Sequence, residues 1–119
     1  MSVDLDAVRE LLQSGPVTKT RVVNLHHHAF DVYIGRAGKG FEGLFGNPCR
    51  AGAVCPECSE RHADGDSTLL CFERYFLRRV EHDTLFREAV LSLRGKTLGC
   101  FCFPRPCHGN VIANFVDSQ

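Results

Sequence analysis

A chain of 119 residues, 44% hydrophobic with nine Phe and no Trp, suffices for one domain with one core and is too apolar to be disordered. Fourteen Lys plus Arg balance fourteen Asp plus Glu, which argues against a nucleic-acid coat held by phosphate neutralisation and against a polybasic membrane binder. No apolar run approaches the ~20 residues of a spanning helix, and the acidic opening MSVDLDAVRE lacks a basic-then-apolar signal, so a soluble cytoplasmic protein is expected.

In chain order, Asp4 to Gln13 places Leu5, Val8, Leu11 and Leu12 at helical spacing, and Ser14-Gly15-Pro16 ends that helix. Two short strands follow, Arg21 to Leu25 and Asp31 to Ile34, separated by a turn through His26-His27-His28. Residues 35–66 are rich in Gly and irregular, too long a loop for a compact domain unless something other than a core organises it. From Ser67, the spacing of Leu69, Phe72, Phe76 and Val80 predicts a helix capped by Asp66 or Ser67, and a second helix runs from Asp83 to Leu93. Thr97 to Phe103 is apolar on both faces, as an inner strand of an α/β sheet tends to be, and a last helix carries Val111, Ile112, Phe115 and Val116. The expected fold is a single small α/β domain, a sheet of about three or more strands with helices packed on it and a long metal-stabilised loop.

Seven cysteines, an odd number in a chain without a secretion signal, read better as metal ligands or reactive thiols than as disulfides. Cys55-Pro56-Glu57-Cys58 puts two thiolates on one tight turn, where both reach a tetrahedral Zn²⁺. His62 is the candidate third ligand, and Cys71 or Cys49 the fourth. Such an ion orders a segment that has too few apolar residues to order itself.

The second constellation is Gly99-Cys100-Phe101-Cys102-Phe103-Pro104-Arg105-Pro106-Cys107-His108-Gly109. Cys107 and His108 fall where a helix begins, and the unpaired N–H groups there are expected to lower a thiol pKa and to hold an anion. Three roles compete: Cys107 as nucleophile with His108 as base, an anion site clamped by Arg105 and Arg36, and a second metal site of Cys100, Cys102, Cys107 and His108. For Cys100 alone, simple packing of a small buried thiol is the better reading. Asn24, Arg36 and Asn47, which end strands or border the loop, and Gly109 complete the candidate ligand-binding set.

Val23-Asn24-Leu25, Tyr33-Ile34-Gly35-Arg36, Gly46-Asn47-Pro48 and the closing Gly99-Cys100-Phe101-Cys102-x-Pro104-x-Pro106-Cys107-His108-Gly109 resemble a family of small bacterial and bacteriophage proteins of unknown function, over residues 21–116. The closing motif is also similar to a second family in which an apolar strand ends in Cys and Cys-His-Arg opens the next helix. The first resemblance implies Cys71 rather than Cys49 as the fourth ligand, and a metal that supports the fold rather than the chemistry. It also implies an Asp where this chain has Asn110.

Two functional readings follow. One is an enzyme or binding domain for a phosphate-bearing ligand such as a nucleotide or nucleobase derivative. The other is a non-enzymatic zinc-stabilised interaction module, phage-encoded and docking on a host protein. Convergence of Asn24, Arg36, Asn47, Cys107 and His108 on one concave pocket favours the first.

Overall fold

The structure, a computed structural model, describes residues 19–38 and 40–119. The helix expected over Asp4 to Gln13 lies outside the described residues. Three strands form one parallel sheet: β1 (Arg21–Asn24), β2 (Val32–Tyr33) and β3 (Thr97–Cys100), in the order β1-β3-β2. Register is set by Val22 opposite Leu98 and Asn24 opposite Cys100 on one side, and Val32 opposite Leu98 and Tyr33 opposite Gly99 on the other. The apolar run TLGC thus takes the central position its composition predicts, with Leu98, Gly99 and Cys100 all buried.

The expected strand through Phe103 stops at Cys100. Its neighbours end there: Leu25 N–H donates to Cys100 O and Ile34 N–H to Gly99 O as the last rungs on each side. Beyond them the side-chain amide of Asn24 takes the carbonyl of Phe103 at 2.8 Å, and the chain turns away from the ladder.

Helices α1 (Leu69–His82), α2 (Thr84–Leu91) and α3 (His108–Asp117) follow the predicted periodicity, and a single 3₁₀ turn, Asp66–Thr68, leads into α1. Phe72, Phe76 and Val80 line the buried stripe of α1, and meet Phe86 and Val90 of α2 and Ile112 and Val116 of α3 over Leu98 and Ile34. Each such side chain contributes about 1.5–3 kcal/mol by leaving water. Asp83 caps α2, its carboxylate accepting from Phe86 N–H at 3.1 Å. On the opposite face of β3 the ring of Phe30, from the connection between β1 and β2, lies where a Cβ on Gly99 would stand 2.6 Å from Phe30 Cγ. Among the described residues no helix is long and apolar enough to cross a membrane.

Candidate functional site

The 35–66 segment carries no strand or α-helix among its described residues, and isolated bridges such as Ala51 with His62 and Val54 with Arg61 fold it back on itself. Its CxxC turn is closed by Cys55 N–H donating to Glu60 O and Ser59 N–H to Cys55 O, both at 2.8 Å, with Ser59 in the left-handed region at φ 66°. Glu57 N–H points at Cys55 Sγ from 3.4 Å, a donor aimed at a thiolate. This turn brings Cys55 and Cys58 against His62 and against Cys71 in the first turn of α1. The ligand atoms of the four residues all lie within 4.8 Å of one another, so the group can hold a metal ion. Bonds of 2.3 Å in a tetrahedron set sulfurs about 3.8 Å apart, a spacing that this arrangement accommodates.

The histidine arrives in the right tautomer. Ser67 Oγ donates its one proton to Asp64 O at 3.0 Å, so at 3.1 Å from His62 Nδ1 it can only accept from that nitrogen. With the Ser67 proton on Asp64 O, the ring proton sits on Nδ1. Nε2, 3.6 Å from Cys58 Sγ, keeps the lone pair that a metal takes. The loop is also clamped to α1 from outside, because both carboxylate oxygens of Glu57 are held by the guanidinium of Arg78. Arg78 lies seven residues after Cys71, hence on the same face of α1.

Cys49 is fully buried behind this group, with its sulfur 3.2 Å from that of Cys55. Burial pushes its thiol up to about 12. Burial acts on Cys55 in the same sense, but hydrogen bonds from the backbone at Cys58, the contact with Cys49 and the Glu57 N–H outweigh it and bring that thiol down to about 6. The group of four thus contains Cys71 and not Cys49.

The second cluster lies at the carboxyl end of β3. Cys100 and Cys107 are buried with their sulfurs 2.9 Å apart, Cys102 is exposed, and the three sulfurs lie within 4.8 Å of one another. Cys107 is the N-cap of α3, accepting from Gly109 N–H at 3.4 Å. The helix start does not lower its pKa as expected: contacts with the Cys100 and then the Cys102 sulfur, together with burial, raise it and outweigh the single N–H. Cys100 is the thiol held low, through Cys102 and Cys107 against the effect of burial. His108 is buried and kept neutral by desolvation, with Nε2 2.6 Å from Ile34 O and Nδ1 3.6 Å from Cys107 Sγ.

These residues form the floor of a cavity of about 470 Å³ at the carboxyl ends of β2 and β3, where open parallel sheets receive ligands. Arg36, Asn47, Arg105, Cys107 and His108 all border it, joined by Arg50, Asp66, Tyr33 and Phe101. Among the described residues none of its three arginines ion-pairs with a carboxylate. Arg36 is aimed by the loop, donating from Nε to Asn47 O at 2.8 Å and from a terminal nitrogen to Cys49 O at 2.6 Å.

Not every candidate reaches the cavity with free polar atoms. Asn47 spends its amide on Thr68 Oγ1 and its carbonyl oxygen on Cys49 N–H, so it braces the loop. Asn24 stands apart from the cavity, fastening His26 N–H and the carbonyls of Phe101 and Phe103. Gly109 also stands apart, packed against Ile34 and Val22. The sequence names neither Arg50 nor Asp66 as a site residue, Asp66 entering only as a helix cap. Their only available signal is adjacency, Arg50 following Cys49 and Asp66 preceding the helix that carries Cys71.

The fold and its clusters define a small α/β protein with one cysteine group bordering a cavity at the end of a parallel sheet and a second in the loop. The chain belongs to the family described as a domain of unknown function (DUF4326), which matches residues 17–118. It is similar to an uncharacterized 12.4 kDa protein in the nrdA-td intergenic region of Enterobacteria phage T4, 34% identical over 97 residues, which cover 82% of this chain and 77% of that relative. No solved structure matches.

Proposed function

We propose that this protein is a zinc-stabilised binding domain whose cavity takes a phosphate-bearing small molecule, with nucleotides or nucleobase derivatives as the class. The observation that carries the reading is charge. Arg36, Arg50 and Arg105 border the cavity against one carboxylate, Asp66, although the chain as a whole is neutral. Guanidinium groups that, among the described residues, pair with no carboxylate match phosphate oxygens in a planar, bidentate manner. Tyr33 and Phe101 add aromatic faces at the same cavity, suited to a base.

Zinc is the ion we assign to Cys55, Cys58, His62 and Cys71, because three thiolates and one imidazole in a closed tetrahedral set suit it. With seven free thiols, the protein belongs in a reducing compartment, the cytoplasm of a bacterium or of a phage-infected host.

Calorimetric titration with inorganic phosphate and with nucleoside mono- and diphosphates tests the ligand class. Binding by the native chain should fall at least tenfold in Arg50→Gln/Arg105→Gln, a variant that changes only exposed side chains. Absence of binding at millimolar concentrations by native protein sinks this reading. The interaction-module alternative is then the one left to pursue.

A further inference from the structure

We infer that Cys100, Cys102 and Cys107 form a second metal site, for a thiophilic ion such as Zn²⁺, whose fourth coordination position faces the cavity. Three sulfurs within 4.8 Å of one another are close enough to share a single ion with 2.3 Å bonds, the Cys100 and Cys107 sulfurs parting from 2.9 Å toward about 3.8 Å to do so. Polynuclear clusters need more widely spaced sulfurs. The third thiol is the telling one. Cys102 is exposed, beyond the end of β3, and a solvated cysteine has no packing reason to turn its sulfur back toward two buried ones.

His108 does not complete the set. Its Nε2 is engaged with Ile34 O, and its other nitrogen does not join the three sulfurs within the same span. Three protein ligands with one position left to solvent or substrate is the arrangement of reactive metal sites, whereas four protein ligands is that of structural ones. Three thiolates around a divalent ion carry one net negative charge, and Arg36 and Arg105 at the same cavity supply the opposite charge nearby. The Gly109 N–H on Cys107 is the outer donor that a metal-bound sulfur uses.

This inference stands apart from the anion reading, because it is tested with no anion added. Protein purified without oxygen should hold two thiophilic ions per chain by elemental analysis, and Cys102→Ser should hold one. With cobalt(II) substituted, imidazole should shift the visible bands of the native chain and leave those of Cys102→Ser unchanged. One ion in the native chain overturns the inference, as do two ions retained by Cys102→Ser or a Cys100–Cys107 disulfide found by mass spectrometry in the anaerobic protein. The native count needs no variant, so misfolding of Cys102→Ser leaves the test intact.

Discussion

The loop cluster and the strand-end cluster use the same thiols for opposite ends. In the loop, the ligand atoms of Cys55, Cys58, His62 and Cys71 lie within 4.8 Å of one another, with Ser67 of the 3₁₀ turn beside His62 and Glu57 tied to Arg78 of α1. At the strand end, Cys100, Cys102 and Cys107 form a group of three that borders a cavity. The difference lies in what each replaces. The loop has almost no apolar core of its own, its buried cluster being made of cysteines alone, and the zinc proposed for it would supply the order that core does not. The strand end is already seated in the main core by Leu98, Ile112 and Ile34, with Cys100 and Cys107 packed in that same core, so the ion proposed there is not needed to order it. Arg36 joins the two, reaching from the cavity to the backbone of Cys49.

The sharpest way to break this comparison is to remove one sulfur from each cluster. Metal binding at a closed zinc-type site is worth on the order of 10 kcal/mol, comparable to the whole stability of a small domain. Cys58→Ser should therefore lose its ion and expose residues 49–71 to limited proteolysis. It should also weaken phosphate binding, because Arg36 loses its anchor. Cys102→Ser should keep the native thermal midpoint to within a few degrees. The contrast fails if the two variants resist protease and heat equally well.

A second substitution loads the strand end without touching a sulfur. A Cβ on Gly109 would stand 2.6 Å from Ile34 Cδ1 and 3.0 Å from Val22 Cγ1, all in the packed layer between α3 and the sheet. Overpacking of this kind costs about 1–3 kcal/mol, or roughly 4 °C of thermal midpoint per kcal/mol in a domain of this size. Gly109→Ala should shift Cys107 and His108 while the loop keeps its metal. Calorimetry followed by metal analysis of the same sample separates the two effects, and loss of the loop ion would show that the clusters are not independent.

Much of this was legible in the sequence where one physical rule acted alone. Helical spacing located α1, α2 and α3, because Phe72, Phe76, Val90 and Val116 repeat on one face and nothing competes. The C-x₂-C-x₃-H spacing located the loop cluster, since ligand geometry is local there. Where two segments meet, the signal ran out. Strand β3 ends at Cys100 because β1 and β2 end beside it, a fact carried by Asn24 and Ile34 rather than by TLGCFCF itself. Asn24 ends a strand as a reactive residue often does, yet it is a bracket between crossing segments. The pKa order of Cys100 and Cys107 follows from their contact with each other and with a third sulfur, Cys102, whose approach depends on a turn that lies outside any period.

The finest test concerns the loop alone and uses the proton on His62. Ser67 Oγ holds that proton on Nδ1, and removing such an outer partner costs about 10–100-fold in metal affinity. Ser67 is exposed and its backbone N–H is held by Asp64 Oδ1 at 2.8 Å, so Ser67→Ala keeps the turn into α1 while it frees the ring to rotate. We expect the lower end of that range, about tenfold weaker zinc by competition with a chromophoric chelator. The ratio of ions per chain at saturation should not change. An unchanged affinity would mean that Nε2 is oriented by Cys58 and the turn alone, and the loop cluster would then owe its closure to its four ligands without help from Ser67.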